Sequence, residues 1–338
     1  MSSAGGRDVS GAGGQGEAAG GLVARFDRFQ QGHAALGFPL AVRQKYSEDQ
    51  GGYLAATIAY YGFFSVFPLL LVFTTTLGFV LRGHAHLEHQ IVHSALGQFP
   101  VIGRELKTGS LKGNRLALGL GLAGALWAGL GAVIAAENAM NQVWGVPFRC
   151  RPNFLHARVR ALLLLLVLGG GALAATALAA AGTVGAHYGI GWKVASVAIS
   201  ALLDFGLFWL SFRVLTAQDL SWSSLRVGAA AAAVGYEALQ LLGGYYVGHV
   251  LSHASNVYGT FALVIGLLSF IYLAIHVTLL AAEVNVVASR RLWPRSFSIG
   301  AQQPATAGDK DALTQRSKVE ERRTDQQIEV HIPGREKP

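Results

Sequence analysis

Residues 258–287 read YGTFALVIGLLSFIYLAIHVTLLAAEVNVV. Across this stretch the only Asp, Glu, Lys or Arg is Glu283. An α-helix rises about 1.5 Å per residue, so roughly 20 apolar residues cross a hydrocarbon core of about 30 Å. The stretch therefore predicts a membrane-spanning helix. Five further runs have the same character, at about 54–81, 116–140, 161–185, 194–215 and 226–251. None alternates polar and apolar residues as a spanning barrel strand does. The fold class expected is all-α: a polytopic membrane protein with six transmembrane helices.

The rest of the chain agrees with this reading. Only 14% of the 338 residues are charged, 52% are apolar, and the mean hydropathy is +0.39. Between Arg160 and Arg290 the charged residues are Lys193, Asp204, Arg213, Asp219, Arg226, Glu237 and Glu283. A water-soluble fold needs far more charge over that length. The basic residues cluster beside apolar runs: five in residues 1–53, four from Arg149 to Arg160, and ten after Ser289. That is the positive-inside pattern, and it predicts both ends in the cytoplasm. The 82–115 loop also holds five basic residues, but mixed with acids and histidines in the pattern of a surface helix. The net charge of +8 is thus assigned to membrane orientation rather than to a nucleic-acid partner. A single Cys150 excludes an internal disulfide framework and a cysteine zinc site.

Residues 1–20 are rich in Gly, Ala and Ser, without the apolar core of a cleavable signal peptide, and are expected to be disordered. Residues 21–53 are expected to form a cytoplasmic amphipathic helix, with Leu22, Phe26, Phe29 and Leu36 toward the membrane surface. The transmembrane domain is placed at 54–290. Residues 291–338, polar and poor in aromatics, are expected to be a disordered basic cytoplasmic tail.

Three segments carry a family resemblance. They are Ala59-Tyr60-Tyr61-Gly62-Phe63-Phe64-Ser65-Val66-Phe67-Pro68-Leu69, Asn141-Gln142-Val143-Trp144-Gly145-Val146-Pro147, and Asn256-Val257-Tyr258-Gly259-Thr260-Phe261 continuing to Ala282-Glu283-Val284-Asn285. With Glu237, in this order and spacing, they resemble the YihY/BrkB family of bacterial inner-membrane proteins, formerly mislabelled ribonuclease BN. The resemblance covers about residues 25–290 and departs at Thr216-Ala217-Gln218, where the family usually has a Pro-containing turn. It implies a multi-pass cell-membrane location and brings no settled molecular activity.

Several residues invite a functional reading. Asp204 and Glu237 lie well inside apolar runs. A bare carboxylate there costs at least about 2.5–3.5 kcal/mol, so it is expected to be protonated, paired or wet. Helical rise puts Glu237 and His276 at similar depth, roughly 18–20 Å from the inner ends of their spans, so contact between them is expected. Asp204 is expected about one turn nearer the cytoplasm. Ser269, Tyr272, His276 and Glu283 form one polar stripe on the last span. The alternative is a satisfied polar cluster that fixes packing. For Glu283 and Asn285 the plain expectation is pairing with Arg290, Arg291, Arg158 or Arg160.

Pro68 removes an N–H and leaves the Phe64 carbonyl without its helical partner, with Ser65 the nearest donor to re-satisfy it. Asn138, Asn141 and Trp144 share a face, Trp144 as an interfacial anchor, and Gly145 and Pro147 end the helix. His84, His86 and His89 nearly spell a nuclease metal motif. The β-rich fold that chemistry needs is missing from the pattern, so no metal is assigned. Gly119, Gly121 and Gly124 spell G-x-G-x-x-G inside a span and read as helix-packing glycines rather than a nucleotide site.

The function expected is transport or flipping of a small or amphiphilic solute along a polar path of Asp204, Glu237, His276, Tyr272 and Glu283. The alternative is a non-catalytic scaffold in envelope assembly. No nucleophile–base arrangement or phosphate loop marks an enzyme, and no cofactor is expected. The partners expected are membrane lipids and a solute of unknown identity, without nucleic acid; a homo-oligomer is an open option.

Overall fold

The computed structural model describes residues 27–80 (28 aside), 115–153, 157–171 (166 and 168 aside), 190–246, 260–296 and 305–331. Among these residues the chain is helical, with turns and no strand. The helices are α1 (Ala34–Glu48), α2 (Gly51–Val80), α3 (Arg115–Val143), the helical residues within 157–171 (α4), α5 (Ile190–Leu215), α6 (Trp222–Tyr246), α7 (Thr260–Arg290) and α8 (Ala307–Lys318).

Four of them contain runs long and apolar enough to cross a membrane: Gly51–Leu69, Gly119–Val143, Ala198–Leu215 and Val264–Arg290. They fall on the first, second, fourth and sixth expected spans. At 25 residues, α6 is long enough to span, although Arg226, Glu237 and its glycines dilute its hydropathy. The third expected span is described only as α4. The burial pattern suits lipid. Large apolar side chains such as Leu116, Leu120, Trp127, Leu202 and Phe261 point outward, where hydrocarbon rather than water solvates them at no cost.

At the centre of the bundle, α7 touches α1, α2, α3 and α6. Small residues set its approach to α6: a Cβ on Gly228 would overlap the Ala281 carbonyl and the Asn285 amide, and one on Gly235 would overlap Val277. Glycines also bring α3 onto α2, as the sequence predicts. A Cβ on Gly124 would lie 3.2 Å from the Pro68 ring, and one on Gly131 would lie 2.6 Å from Tyr61. Gly119, from the same motif, meets nothing within 4 Å.

The main core lies at one end of the bundle, here the basal end, and includes Ala41, Val42, Val143, Phe212, Leu225, Ala282, Val286 and Leu292. A smaller cluster at Leu267 and Phe270 lies further along α7. Gly145 ends α3 as expected, in the left-handed region at φ +64.

Two terminal expectations change. The buried face of α1 is Ala41, Val42, Lys45, Tyr46 and Asp49, turned into the bundle. Phe29 and Leu36 are exposed on its outer side, while Leu22 and Phe26 lie outside the described residues, as does 1–20. The segment expected to be a disordered tail contains α8. A capping box starts this helix: the Thr306 hydroxyl accepts from the Asp309 N–H, and the Asp309 carboxylate accepts from the Thr306 N–H. Composition predicts disorder by counting apolar residues. Here ion pairs and caps hold the segment instead.

Candidate functional site

The polar stripe on α7 faces α1 and the start of α2. Its exposure falls steadily toward the basal end: Ser269 is exposed, Tyr272 and His276 are half-buried, and Glu283 is fully buried. The Tyr46 hydroxyl lies 2.6 Å from His276 Nδ1, with the two rings edge to face and Tyr272 against the other side of the imidazole. Two turns further, Glu283 Oε2 lies 3.0 Å from Lys45 Nζ. The same ammonium bonds Asp49 and donates to the Val143 carbonyl at 2.8 Å. Two of the lysine's three N–H donors are taken by Asp49 and the Val143 carbonyl, and Glu283 faces the ammonium as an ion pair whose oxygens have no hydrogen-bond partner among the described residues. Burial alone would lower the Lys45 pKa, but Glu283 and Asp49 outweigh it and hold the pKa above the ordinary lysine value. The Tyr46 phenol is also pushed up, first by burial and then by Tyr272 and Glu283.

Asn285 is fully buried; its Oδ1 accepts from the Gly228 N–H at 2.6 Å, and its Nδ2 has no partner. Thus Glu283 pairs with Lys45, and Asn285 with the α6 backbone, rather than with the arginines expected. Arg290 instead donates to the Trp144 carbonyl at 2.8 Å and to Gln315 Oε1 at 2.5 Å.

The second polar group lies between α5 and α6. The Asp204 and Glu237 carboxyls are half-buried and close enough to interact electrostatically, with Tyr236 beside both. Gln240 Nε2 donates to the Tyr236 hydroxyl at 3.1 Å. The expected depth of Glu237 agrees with the packing, since Gly235 meets α7 at Val277, next to His276. The face differs. Gly228 and Gly235 lie on the face of α6 that packs against α7, so Glu237, on the opposite side of the helix, turns toward α5 while His276 turns toward α1. Asp204, Glu237, Tyr272, His276 and Glu283 therefore form two groups on different faces of the bundle rather than one continuous line.

Other expected residues divide similarly. Ser65 is buried, and its hydroxyl donates to the Gly62 carbonyl at 2.7 Å rather than to Phe64. Tyr60, Tyr61 and Phe64 stack edge to face on the exposed side of α2. Asn141 is buried and accepts from the Ala217 N–H at 2.7 Å, tying α3 to the α5–α6 turn, whereas Asn138 is exposed. Trp144, expected as an interfacial anchor, is buried with its indole N–H unpartnered and Arg290 over its ring at 5.6 Å. The basal core closes over it. Pro147 opens the short 3₁₀ turn Phe148–Cys150. Tyr258, Gly259 and His84–His93 lie outside the described residues.

Sequence reasoning missed the basal ionic groups. Glu137, buried in α3, lies 3.4 Å from Arg160, whose guanidinium also donates to the Val214 carbonyl and, at 3.0 Å, to the Thr216 carbonyl. Arg295 is almost fully buried, bonded to Glu48 at 2.7 Å and Asp309 at 3.1 Å, while Gln30 donates to its carbonyl at 2.7 Å. Phe148 and Arg149 donate their N–H groups to the Val319 and Glu321 carbonyls, each at 3.0 Å.

With helices of spanning length around two internal polar groups, comparison with known proteins decides the family. The description "Virulence factor BrkB" matches residues 42–305, most of the chain. The chain belongs to the virulence factor BrkB family. Like others of the BrkB family, it is a multi-pass membrane protein, and its matched region runs from α1 through α7. It is similar to the inner membrane protein YhjD of Escherichia coli (strain K12), 26% identical over 275 residues, 75% of this chain and 81% of that protein. No solved structure matches the chain.

Proposed function

We propose that this BrkB-family protein is a transporter or flippase-like protein of the inner membrane. It moves a small or amphiphilic solute along the α7 stripe of Tyr272, His276 and Glu283, with Asp204 and Glu237 as a separate proton-exchanging pair between α5 and α6. The topology that goes with this reading has six spans and both termini inside, which makes the basal end cytoplasmic. The carrying observation is the Asp204–Glu237 pair: two carboxyls deep in spanning-length helices, half-buried, and close enough to interact. Among the described residues neither forms an ion pair with a lysine or arginine. Two neighbouring carboxyls in a low-dielectric setting disfavour each other's ionisation, an arrangement suited to proton exchange. The falling exposure along α7 supports the same reading, because it describes a stripe open at mid-span and sealed at Glu283.

A second reading, the non-catalytic scaffold in envelope assembly, is favoured by the Lys45–Asp49–Glu283 bridge, a packing device by its burial. Neither reading assigns a catalytic residue or a cofactor. The partners are membrane lipids and the solute, with no part for nucleic acid.

The test is reconstitution in liposomes with two probes: an internal pH-sensitive dye for proton flux and a headgroup-quenchable fluorescent phospholipid for flipping. Transport predicts that the folded protein accelerates at least one above protein-free vesicles. Both at the protein-free rate, with the protein folded and inserted, leave the scaffold reading.

A further inference from the structure

We infer that the segment from Ala305 to Glu321, which carries α8, is a lid that closes the cytoplasmic mouth of the α7 stripe, and that its release admits water and solute to Glu283. The purpose of the lid rests on the proposed transport reading, whereas its geometry stands independently. One crevice reaches the Lys45–Asp49 pair from the basal side. Its walls are Glu48 of α1, Gln142 and Gly145 at the end of α3, and Ala312, Gln315 and Arg316 of α8. With α8 seated, the crevice has room for about one water molecule. Beyond it lie Lys45 and Glu283, the point at which the stripe is sealed.

The manner of attachment suits a lid. Of α8's own residues only Gly308, Asp309 and Ala312 are buried. Polar contacts supply the rest: Arg295 with Glu48 and Asp309, Arg290 with Gln315, Arg149 with Glu321 at 2.9 Å, and the backbone pairing at Phe148 and Arg149. An element with little buried apolar surface belongs to the low-stability end of a fold and opens without unfolding the rest. Its contacts also fall on parts that meet at the mouth: α1, the turn after α3, and the end of α7. Releasing α8 thus frees one wall of the crevice and leaves the helix core, built from Val143, Phe212, Leu225 and Val286, in place.

The experiment uses Gln142→Cys in a Cys150→Ser background, in inside-out membrane vesicles, with a charged membrane-impermeant maleimide. Labelling is expected to be slow in the full chain and about tenfold faster after deletion of residues 305–338. Gly308→Leu is the second variant, so that the test does not depend on insertion of the shortened chain. A Cβ on Gly308 lies 2.8 Å from the Pro294 carbonyl oxygen and 3.1 Å from the Leu292 carbonyl carbon, so the side chain levers α8 off without altering the bundle. Tryptic cleavage at Arg316 and Lys318 reports the release. Cleavage that rises without faster labelling overturns the lid, as does a Gly308→Leu chain whose cleavage and labelling both match the parent. Labelling that rises while neither flux probe moves keeps the lid and removes the transport reading; flux with unchanged labelling does the reverse.

Discussion

Replacing Lys45 by Met should damage the protein far more than replacing Glu283 by Gln, although the two side chains face each other. Lys45 is the one cation between two carboxylates and also donates to the Val143 carbonyl. At 3.0 Å and an effective dielectric near 20, its direct attraction to Glu283 is about 5–6 kcal/mol before desolvation is charged against it. Lys45→Met leaves Asp49 and Glu283 buried with no counter-ion, and uncompensated buried charge costs about 3–5 kcal/mol. The orphaned Val143 carbonyl adds about 1 kcal/mol or more. Glu283→Gln instead leaves a neutral Lys45–Asp49 pair and an amide that can still accept from the ammonium, a loss of about 1 kcal/mol. In detergent-solubilised thermal unfolding, at about 2 °C per kcal/mol for a chain of this size, the shifts are about 8–12 °C and about 2 °C. The double variant should recover part of the Lys45→Met loss, since one carboxylate is then gone. Lowering the pH protonates the stranded carboxylates, so the Lys45→Met deficit should shrink from pH 8 to pH 5. In the parent, the folded Lys45 pKa is raised. Its contribution is therefore complete below the unfolded lysine value of about 10.4 and lost only as pH rises through the higher folded value, so it should be flat from pH 5 to pH 9. Equal shifts for the two single variants, or the opposite order, would refute the reasoning.

Gly228→Val should separate α6 from α7, because its side chain overlaps the Ala281 carbonyl and the Asn285 amide; a loss of about 3 kcal/mol or more is expected in the same unfolding assay, and a neutral result contradicts the close approach. Tyr46→Phe removes one hydrogen bond to His276 and should cost about 1 kcal/mol, with faster amide exchange at the α1–α2 junction in hydrogen-exchange mass spectrometry. Arg295→Gln strands Asp309 beside Glu48, and limited proteolysis should find α8 released at trypsin concentrations that leave the parent intact.

Four of the six expected spans were legible, because a long apolar run has few physical meanings. At 258–287 nothing but lipid or a protein interior solvates the surface, and α7 follows almost residue for residue. Depth was legible too, since helical rise is fixed, and it places Glu237 level with His276. Azimuth was not. Which way Glu237 points depends on which neighbour α6 touches, and that is set by Gly228 and Gly235. These two residues, seven apart on one face, were the available signal, and reading them as a contact edge turns Glu237 away from α7. The basal bridge hid because Lys45 looks like any charge on a surface helix. Its clue was the company it keeps at helical spacing, Ala41, Val42, Tyr46 and Asp49, a face too apolar for solvent. For α8 the cue was Thr306-Ala307-Gly308-Asp309, a helix-start pattern that overall tail composition concealed.

The most direct measurement compares proton flux and phospholipid flipping in liposomes for the parent and the Asp204→Asn/Glu237→Gln double variant at two pH values. The amides preserve the shape and hydrogen-bonding capacity but cannot exchange a proton. Transport through this pair predicts a folded variant whose flux has lost the pH dependence of the parent. Flux that keeps the parent's rate and pH profile in the double variant contradicts it.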